Sequence, residues 1–311
     1  MFTFSRLLGK NRREENNLLF EGEIALHLSS PIERFIREMA NTITLHIFNY
    51  YGYYAGSFYP RTHYNSGYMT LRQCEYYLDE NKRFTLARKF VEGSLSNIIR
   101  NLTYYENRGV GLSAHIKRLK DHLILLNKTQ SIEELMSVEG RSKEEYYCSL
   151  NEILKNDYFR YTKRERRPPK GPLDTLLSFG NSLLYVTILG EIYKTHLDPR
   201  IGFLHTSNFR KFSLNLDIAE VFKPVIIDRI IFTLVNKKMV DESSFEKELG
   251  GIYLNEKGRR IFVEEFDRKM NQVISLHGRR CSYQRLIRLE LYKIEKHLMG
   301  EKEYHPFISQ W

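Results

Sequence analysis

The sequence predicts an α+β fold: a small N-terminal β-rich domain followed by a larger, mostly α-helical one. Three observations carry this. The segment TITLHIFNYYGYYAGSFYP (42–60) is dense in β-branched and aromatic residues and punctuated by glycines, the composition of short strands and turns. From about Leu71 onward the apolar residues recur at helical spacing instead. The chain is 311 residues long and 42% hydrophobic, enough to bury a sizeable core in one large or two ordinary domains. The expected division is a β-rich domain over 1–62, a linker over 63–70 and a helical domain over 71–311.

Taken in order, PIERFIREMA (31–40) suits a helix that opens with Pro31 behind Ser30 as its cap. Strands and turns follow over 42–60. Leu71, Cys74 and Leu78, then Leu86, Phe90 and Ile98, set helical stripes between 71 and 108. Further helices are expected over 113–126, 131–136, 140–155, 173–195, 217–236, 258–275 and 283–299. The connector KRERRPPKGP (163–172) is charged and proline-rich, so it ends helices on both sides. The longest apolar stretch, LLSFGNSLLYVTILGEIY (176–193), is interrupted by Gly, Asn, Ser and Glu191; it suits a buried helix and not a membrane span. The N-terminus shows no signal-peptide pattern. Cys74, Cys148 and Cys281 are scattered with no CxxC pair, which fits a reducing cytoplasm.

Lys plus Arg number 48 against 38 Asp plus Glu, a net charge of +10. Such a surplus favours a polyanionic partner, nucleic acid ahead of membrane. The 21 tyrosines could stack on bases, or simply build core. Tyr53, Tyr54, Tyr59 and Tyr64 carry the same ambiguity at the domain junction. The run Lys163, Arg164, Arg166 and Arg167 is either a phosphate-contact strip or a solvated linker.

Residues that could carry chemistry gather in GFLHTSNFRKFSLNLDIAE (202–220). Asp217 and Glu220 stand three apart, so they share a helix face if a helix begins near Asp217. The same spacing is that of an N-cap and capping box, which needs no chemistry. His205, after the turn-like DPRIG (198–202), is either a packed histidine or a ligand. A third acid, Glu139, is expected at the start of a helix, where a helix N-terminus would welcome it in any case. Together Glu139, His205 and Glu220 or Asp217 make a mixed nitrogen and oxygen donor set. That set suits Mn²⁺ or Mg²⁺ in phosphate chemistry.

Longer motifs then resemble a known family. GFLHTSNFRKFSLNLDIAEVFKPVIIDR, preceded by RRPPKGPLDTLLSFGNSLLY (166–185), resembles the integrase-nuclease shared by CRISPR adaptation systems. ITLHIFNYYGYYAGSFYPR (43–61) is similar to its domain junction, VEGRSKEEYY (138–147) to its first acidic motif and YHPF (304–307) to its C-terminal signature. The resemblance spans nearly the whole chain in the family's order. It implies that Glu139, His205 and Glu220 hold a Mg²⁺ or Mn²⁺ ion, with Asp217 beside the metal or one layer behind it. Arg167 and Arg200 fall at motif positions and become candidates for phosphate contact. The resemblance further implies a homodimer that works with a small adaptation partner protein. Its substrates would be double-stranded DNA, a captured fragment and a CRISPR repeat, joined by attack of a 3′-hydroxyl on a phosphodiester. One departure is a gap of about twenty residues between NNLLF (16–20) and EGEIALHLSSPIERFI (21–36), roughly two or more strands' worth in the domain through which the family dimerises.

Two other readings keep part of this pattern. A non-catalytic DNA-binding assembly subunit would keep the charge and use the acids as helix caps. A general metal-dependent DNA-repair nuclease would cut branched or single-stranded DNA without an integration step.

Overall fold

Residues Leu45–Phe48 (β1) and Tyr54–Phe58 (β2) pair antiparallel, with Leu45 opposite Phe58 and a register irregularity after Ile47. This hairpin is the strand-and-turn region expected from its aromatic and glycine content. The structure, a computed structural model, describes residues 45–48, 54–58, 64, 66–165, 168–205, 212–248, 250–276 and 278–310. The expected helix over 31–40, the segments around residues 16–36, and Arg166 and Arg167 lie outside the described residues.

Helices then follow one another: α1 (Gly67–Leu78), α2 (Glu80–Glu106), α3 (Ser113–Leu126), α4 (Ile132–Leu154) and α5 (Pro172–Ile192). Asp79 ends α1 and caps α2, its carboxylate accepting from the Lys82 N–H. Leu86, Phe90 and Ile98 are buried as their spacing predicts. Leu71 and Leu78 are not. They face solvent, and α1 buries Met69 and Gln73 instead. Gln73 is held inside because its amide bridges the backbone of Asp198 and Ile201.

The expected helices 131–136 and 140–155 are one continuous helix, α4. Ser131 caps its start, accepting from the Glu134 N–H, and Lys155 ends it with φ 45°. Gly140, with only open space beside it, costs the helix about 1 kcal/mol relative to alanine and does not break it. Glu139 therefore lies two turns inside a helix, not at its start, and attraction to a helix N-terminus does not account for it.

Helix α5 is the centre of the bundle. It opens on Pro172, and Leu176, Leu177, Leu184, Ile188 and Leu189 along it are buried. By length and composition it could cross a membrane. Here most of it is enclosed by protein, as the polar interruptions suggest. Close packing depends on Gly180, where a Cβ would come within 2.7 Å of both Ile227 and Phe262.

The expected helix over 217–236 is two helices, α6 (Leu214–Phe222) and α7 (Ile227–Asn236). Pro224 has no N–H to continue the ladder, and the chain turns at Lys223–Pro224. Helix α6 packs on α2 and α5, and Lys143 of α4 reaches it through Glu220. After α7 come a hairpin, β3 (Phe245–Glu248) with β4 (Gly251–Leu254), then α8 (Glu256–Asn271), a second hairpin, β5 (Val273–Leu276) with β6 (Arg279–Ser282), and α9 (Tyr283–Leu298). Neither hairpin is anticipated by the helical reading of this region. Residues 302–310 cross back under α2, where Pro306 packs on Gly93 and Phe307 stacks on Phe222 with centroids 5.9 Å apart.

Candidate active site

Three elements bring the candidate residues together: Glu139 from α4, His205 from the loop before α6, and Asp217 and Glu220 from α6. The loop is shaped by hydrogen bonds to one carboxylate. Asp217, fully buried, accepts from the N–H groups of Phe203 (2.5 Å), Leu204 (3.1 Å) and His205 (3.0 Å), and from His205 Nδ1 (2.8 Å). A carboxylate can only accept, so the proton sits on Nδ1 and the lone pair is left on Nε2. Ser213 closes the base of the loop, accepting from the Gly202 N–H and donating to the Arg200 carbonyl. Gly202 is needed for this approach, because a Cβ would lie 2.9 Å from Asp217 Oδ2.

Asp217 is not a helix cap. The N-cap of α6 is Ser213, and Asp217 points back to the loop. The capping-box alternative for Asp217 and Glu220 is thereby removed.

Glu220 and Glu139 meet at one cation. Lys143, one turn after Glu139 on α4, makes a very short ion pair with Glu139 Oε1 and puts Nζ 2.6 Å from Glu220 Oε2. Lys223 lies 2.6 Å from the other oxygen, Glu220 Oε1, and also over the ring of Tyr185, 5.0 Å from its centroid. Burial would raise the Glu220 carboxyl, but the ammonium groups of Lys143 and Lys223, with His205, outweigh it and hold it well below the usual carboxylate range. Burial likewise pulls on the Lys143 ammonium, and Glu220 and Glu139 more than offset it, so it stays charged. One atom is left over: buried Glu220 Oε2 is close to Lys143 but off the hydrogen-bonding direction.

Among the described residues no three His, Cys, Asp or Glu side chains gather closely enough to hold a metal ion as they stand. The reason is local, since an ammonium stands between two of the three candidate ligands. The donor chemistry nevertheless fits a hard divalent cation. Two carboxylates already converge on one positive charge, and the imidazole that Asp217 anchors through Nδ1 is near enough to act electrostatically on Glu220.

The proline break after Glu220 is supported from α2. Asn97 donates to the Val221 carbonyl (2.9 Å) and Asn101, one turn on, to the Pro224 carbonyl (3.1 Å). Asn97 also ties down the C-terminal stretch through Phe307 O and Ser309 N. Asn101 reaches Tyr146 of α4, whose hydroxyl donates to Asp228 Oδ2 at 2.8 Å. Burial dominates at Asp228 and pushes its carboxyl up to about 7.

The basic candidates divide. Lys163 is exposed. Arg164 is turned inward, its guanidinium bonded to Asp174 Oδ1 (2.8 Å) and Ser178 (3.1 Å) at the start of α5. Arg200 grips buried Asp198 through Nε and Nη2, with its side chain 69% exposed. Sequence reasoning missed Lys143, Lys223, Asn97 and Asn101. Only the lysines carried a signal, standing four and three residues after the acids they pair with.

A sequence profile described as "CRISPR associated protein Cas1" matches residues 22–268. The CRISPR-associated endonuclease Cas1 2 of Thermodesulfovibrio yellowstonii is 50% identical over 304 residues, 97% of this chain and 90% of that protein. The solved structure of a Cas1 protein from Thermotoga maritima superposes with a TM-score of 0.77 at 41% identity, covering 88% of this chain and 85% of the other. A casposase bound to its integration product shares the fold at a TM-score of 0.80 and 22% identity, covering 88% of this chain and 77% of the other. The chain belongs to the Cas1 family.

Proposed function

We propose that this protein is the catalytic subunit of spacer acquisition, a metal-dependent DNA integrase and endonuclease that inserts short DNA fragments into a CRISPR array. The observation that carries this is the convergence of Glu139 and Glu220 on one cation position, beside a histidine fixed by Asp217. Glu139, His205 and Glu220 would hold Mg²⁺ or Mn²⁺. When bound, such an ion polarises the phosphoryl oxygen and lowers the pKa of the attacking hydroxyl.

The remaining work falls to the chain. Asp217 fixes the ring and tautomer of His205, and through three N–H groups it fixes the backbone of the loop as well. Lys223 holds Glu220 from the far side, so the carboxylate stays ionised in a buried place. In strand transfer a 3′-oxygen forms a new bond to phosphorus while the bond to another 3′-oxygen breaks, and the proton lost by the attacking hydroxyl is returned to the leaving oxygen through solvent. With water as the attacking group the same exchange cuts DNA. Exposed Lys163 and Arg200, with Arg166 and Arg167 in the same basic run, supply backbone phosphate contacts. Arg164, committed to Asp174, is left out of that strip. The working unit in this reading is a homodimer with a small adaptation partner protein.

The test is strand transfer of a short duplex with free 3′ ends into a supercoiled plasmid carrying a leader and repeat, with the partner protein and with Mn²⁺, Mg²⁺ or EDTA. Joining that requires metal and disappears in His205→Ala supports the reading. Metal-independent binding of DNA without joining or cutting, unchanged in His205→Ala, would move the protein to a non-catalytic assembly role.

A further inference from the structure

The centre of the site holds a positive charge between its two carboxylates. Lys143 extends from α4 toward the two carboxylates and makes an ion pair with each. Without a cation there, Glu139 and Glu220 would face each other across a distance where like charges repel strongly.

We propose that Lys143 is a tethered counter-cation, which holds Glu139 and Glu220 in the metal-free protein and is displaced when a divalent ion binds. The inference rests on the proposed metal-dependent function and names the group that sets its metal affinity.

The two lysines of the site are built differently, and this decides which one moves. Lys223 stands on the side of Glu220 away from Glu139, backed by the Tyr185 ring, and it touches only one candidate ligand. Lys143 touches two, so an ion bound by both carboxylates cannot share their space with its ammonium. Its side chain is 15% exposed at the end of a flexible four-carbon stem, so the head can swing toward water while the stem stays packed. Glu139 and Lys143 share one helix face, so the lysine can let go without a backbone shift.

Such an arrangement lowers metal affinity twice. The ion must break two existing ion pairs before it binds, and it then has an ammonium nearby. In return, the carboxylates stay assembled at low metal concentration.

The test compares wild type with Lys143→Met, which keeps the length of the side chain and removes its charge, and with Lys143→Arg, which keeps the charge. Mn²⁺ binding is read from the free-ion electron paramagnetic resonance signal, and thermal melting is followed in EDTA and in Mn²⁺. Lys143→Met should bind Mn²⁺ about tenfold tighter or more. It should melt about 2–4 °C or more below wild type in EDTA, and Mn²⁺ should close that difference. A Lys143→Met protein that folds only with Mn²⁺ also supports the proposal. Folded Lys143→Met with equal or weaker Mn²⁺ affinity overturns it, while leaving metal binding by the other residues intact. If Lys143→Met does not fold under either condition, Lys143→Arg decides: tighter binding than wild type overturns the proposal, and equal or weaker binding supports it. Absence of Mn²⁺ binding by wild type and Lys143→Met alike overturns the metal reading itself, and the proposal with it.

Discussion

Two buried glutamates, Glu191 and Glu220, each face two cations, and they are not equivalent. Glu191, at the end of α5, has every oxygen directed at a donor: Lys194 at 2.8 Å and Gln284 at 2.9 Å on one, Arg288 at 2.6 Å on the other. Burial raises its carboxyl, and Arg288 and Lys194 more than reverse that. The result is a closed network that pins α5 to α9. Glu220 has the same number of cations, but one of them is shared with Glu139 and meets it off the hydrogen-bonding direction. A saturated carboxylate is a rivet. Glu220 instead shares one of its two cations with a second carboxylate. Counting charges would rate the two alike; asking whether a cation is shared with a second carboxylate separates them.

The largest expected effect sharpens this contrast. Glu220→Gln should lower strand transfer by about a thousandfold, the loss of several kcal/mol of transition-state stabilisation. Glu191→Gln should leave the activity of folded protein close to wild type in the same assay. Stability should rank the other way. Glu191→Ala strips the partner from Arg288 and Lys194 and should cost about 2–4 kcal/mol in urea denaturation, reduced from a fully buried pair because both cations can reach water.

A third buried carboxylate extends the comparison, because the group that donates to it is a neutral hydroxyl, that of Tyr146. Asp228 has a folded pKa of about 7, above an ordinary carboxyl near 3.9. The folded state therefore holds the extra proton between those values. The stability that proton represents is full below about pH 4, falls as pH rises, and is gone above about pH 7. Asp228→Asn should match wild type at pH 4 and be more stable by on the order of 2 kcal/mol at pH 8, read from paired urea titrations. Equal stabilities at both pH values would show that Asp228 titrates as an ordinary carboxyl does. The smallest effect tests the neutral support of the site. Asn97→Ala removes the partner of three backbone groups and should cost about 1–2 kcal/mol.

Much of this molecule is legible in its sequence, for identifiable reasons. Helices α3, α5 and α9 match their expected bounds closely because strong apolar periodicity coincides with clear end signals such as Pro172. Failures occur where a local signal had a competing use. The expected break between 136 and 140 falls inside what is one helix. Pro224 sat within an apolar run that hid its break. Leu71 and Leu78 had helical spacing but no partner among the described residues to bury them. Motifs singled out Glu139, His205, Asp217 and Glu220; the structure joins Glu139 to Glu220 through Lys143 and His205 to Asp217, one turn before Glu220. No periodicity marks Asn97 or Asn101, because their task is set by orphan carbonyls over a hundred residues away in the chain. Lys143 had an acid four residues before it, but helix-surface pairing and a role in the site look the same in one dimension.

The Lys223–Pro224 turn also bears on how this sequence can drift. Glu220 lies before the turn, Lys223 in it and Asp228 after it, each with a partner on α4 or α5. One residue inserted between 223 and 227 would swing Asp228 away from Tyr146 and carry the Pro224 carbonyl off Asn101. Most side chains in this short stretch could be exchanged at modest cost, whereas its length could not. Among related chains, gaps and insertions should be excluded here even where the letters differ.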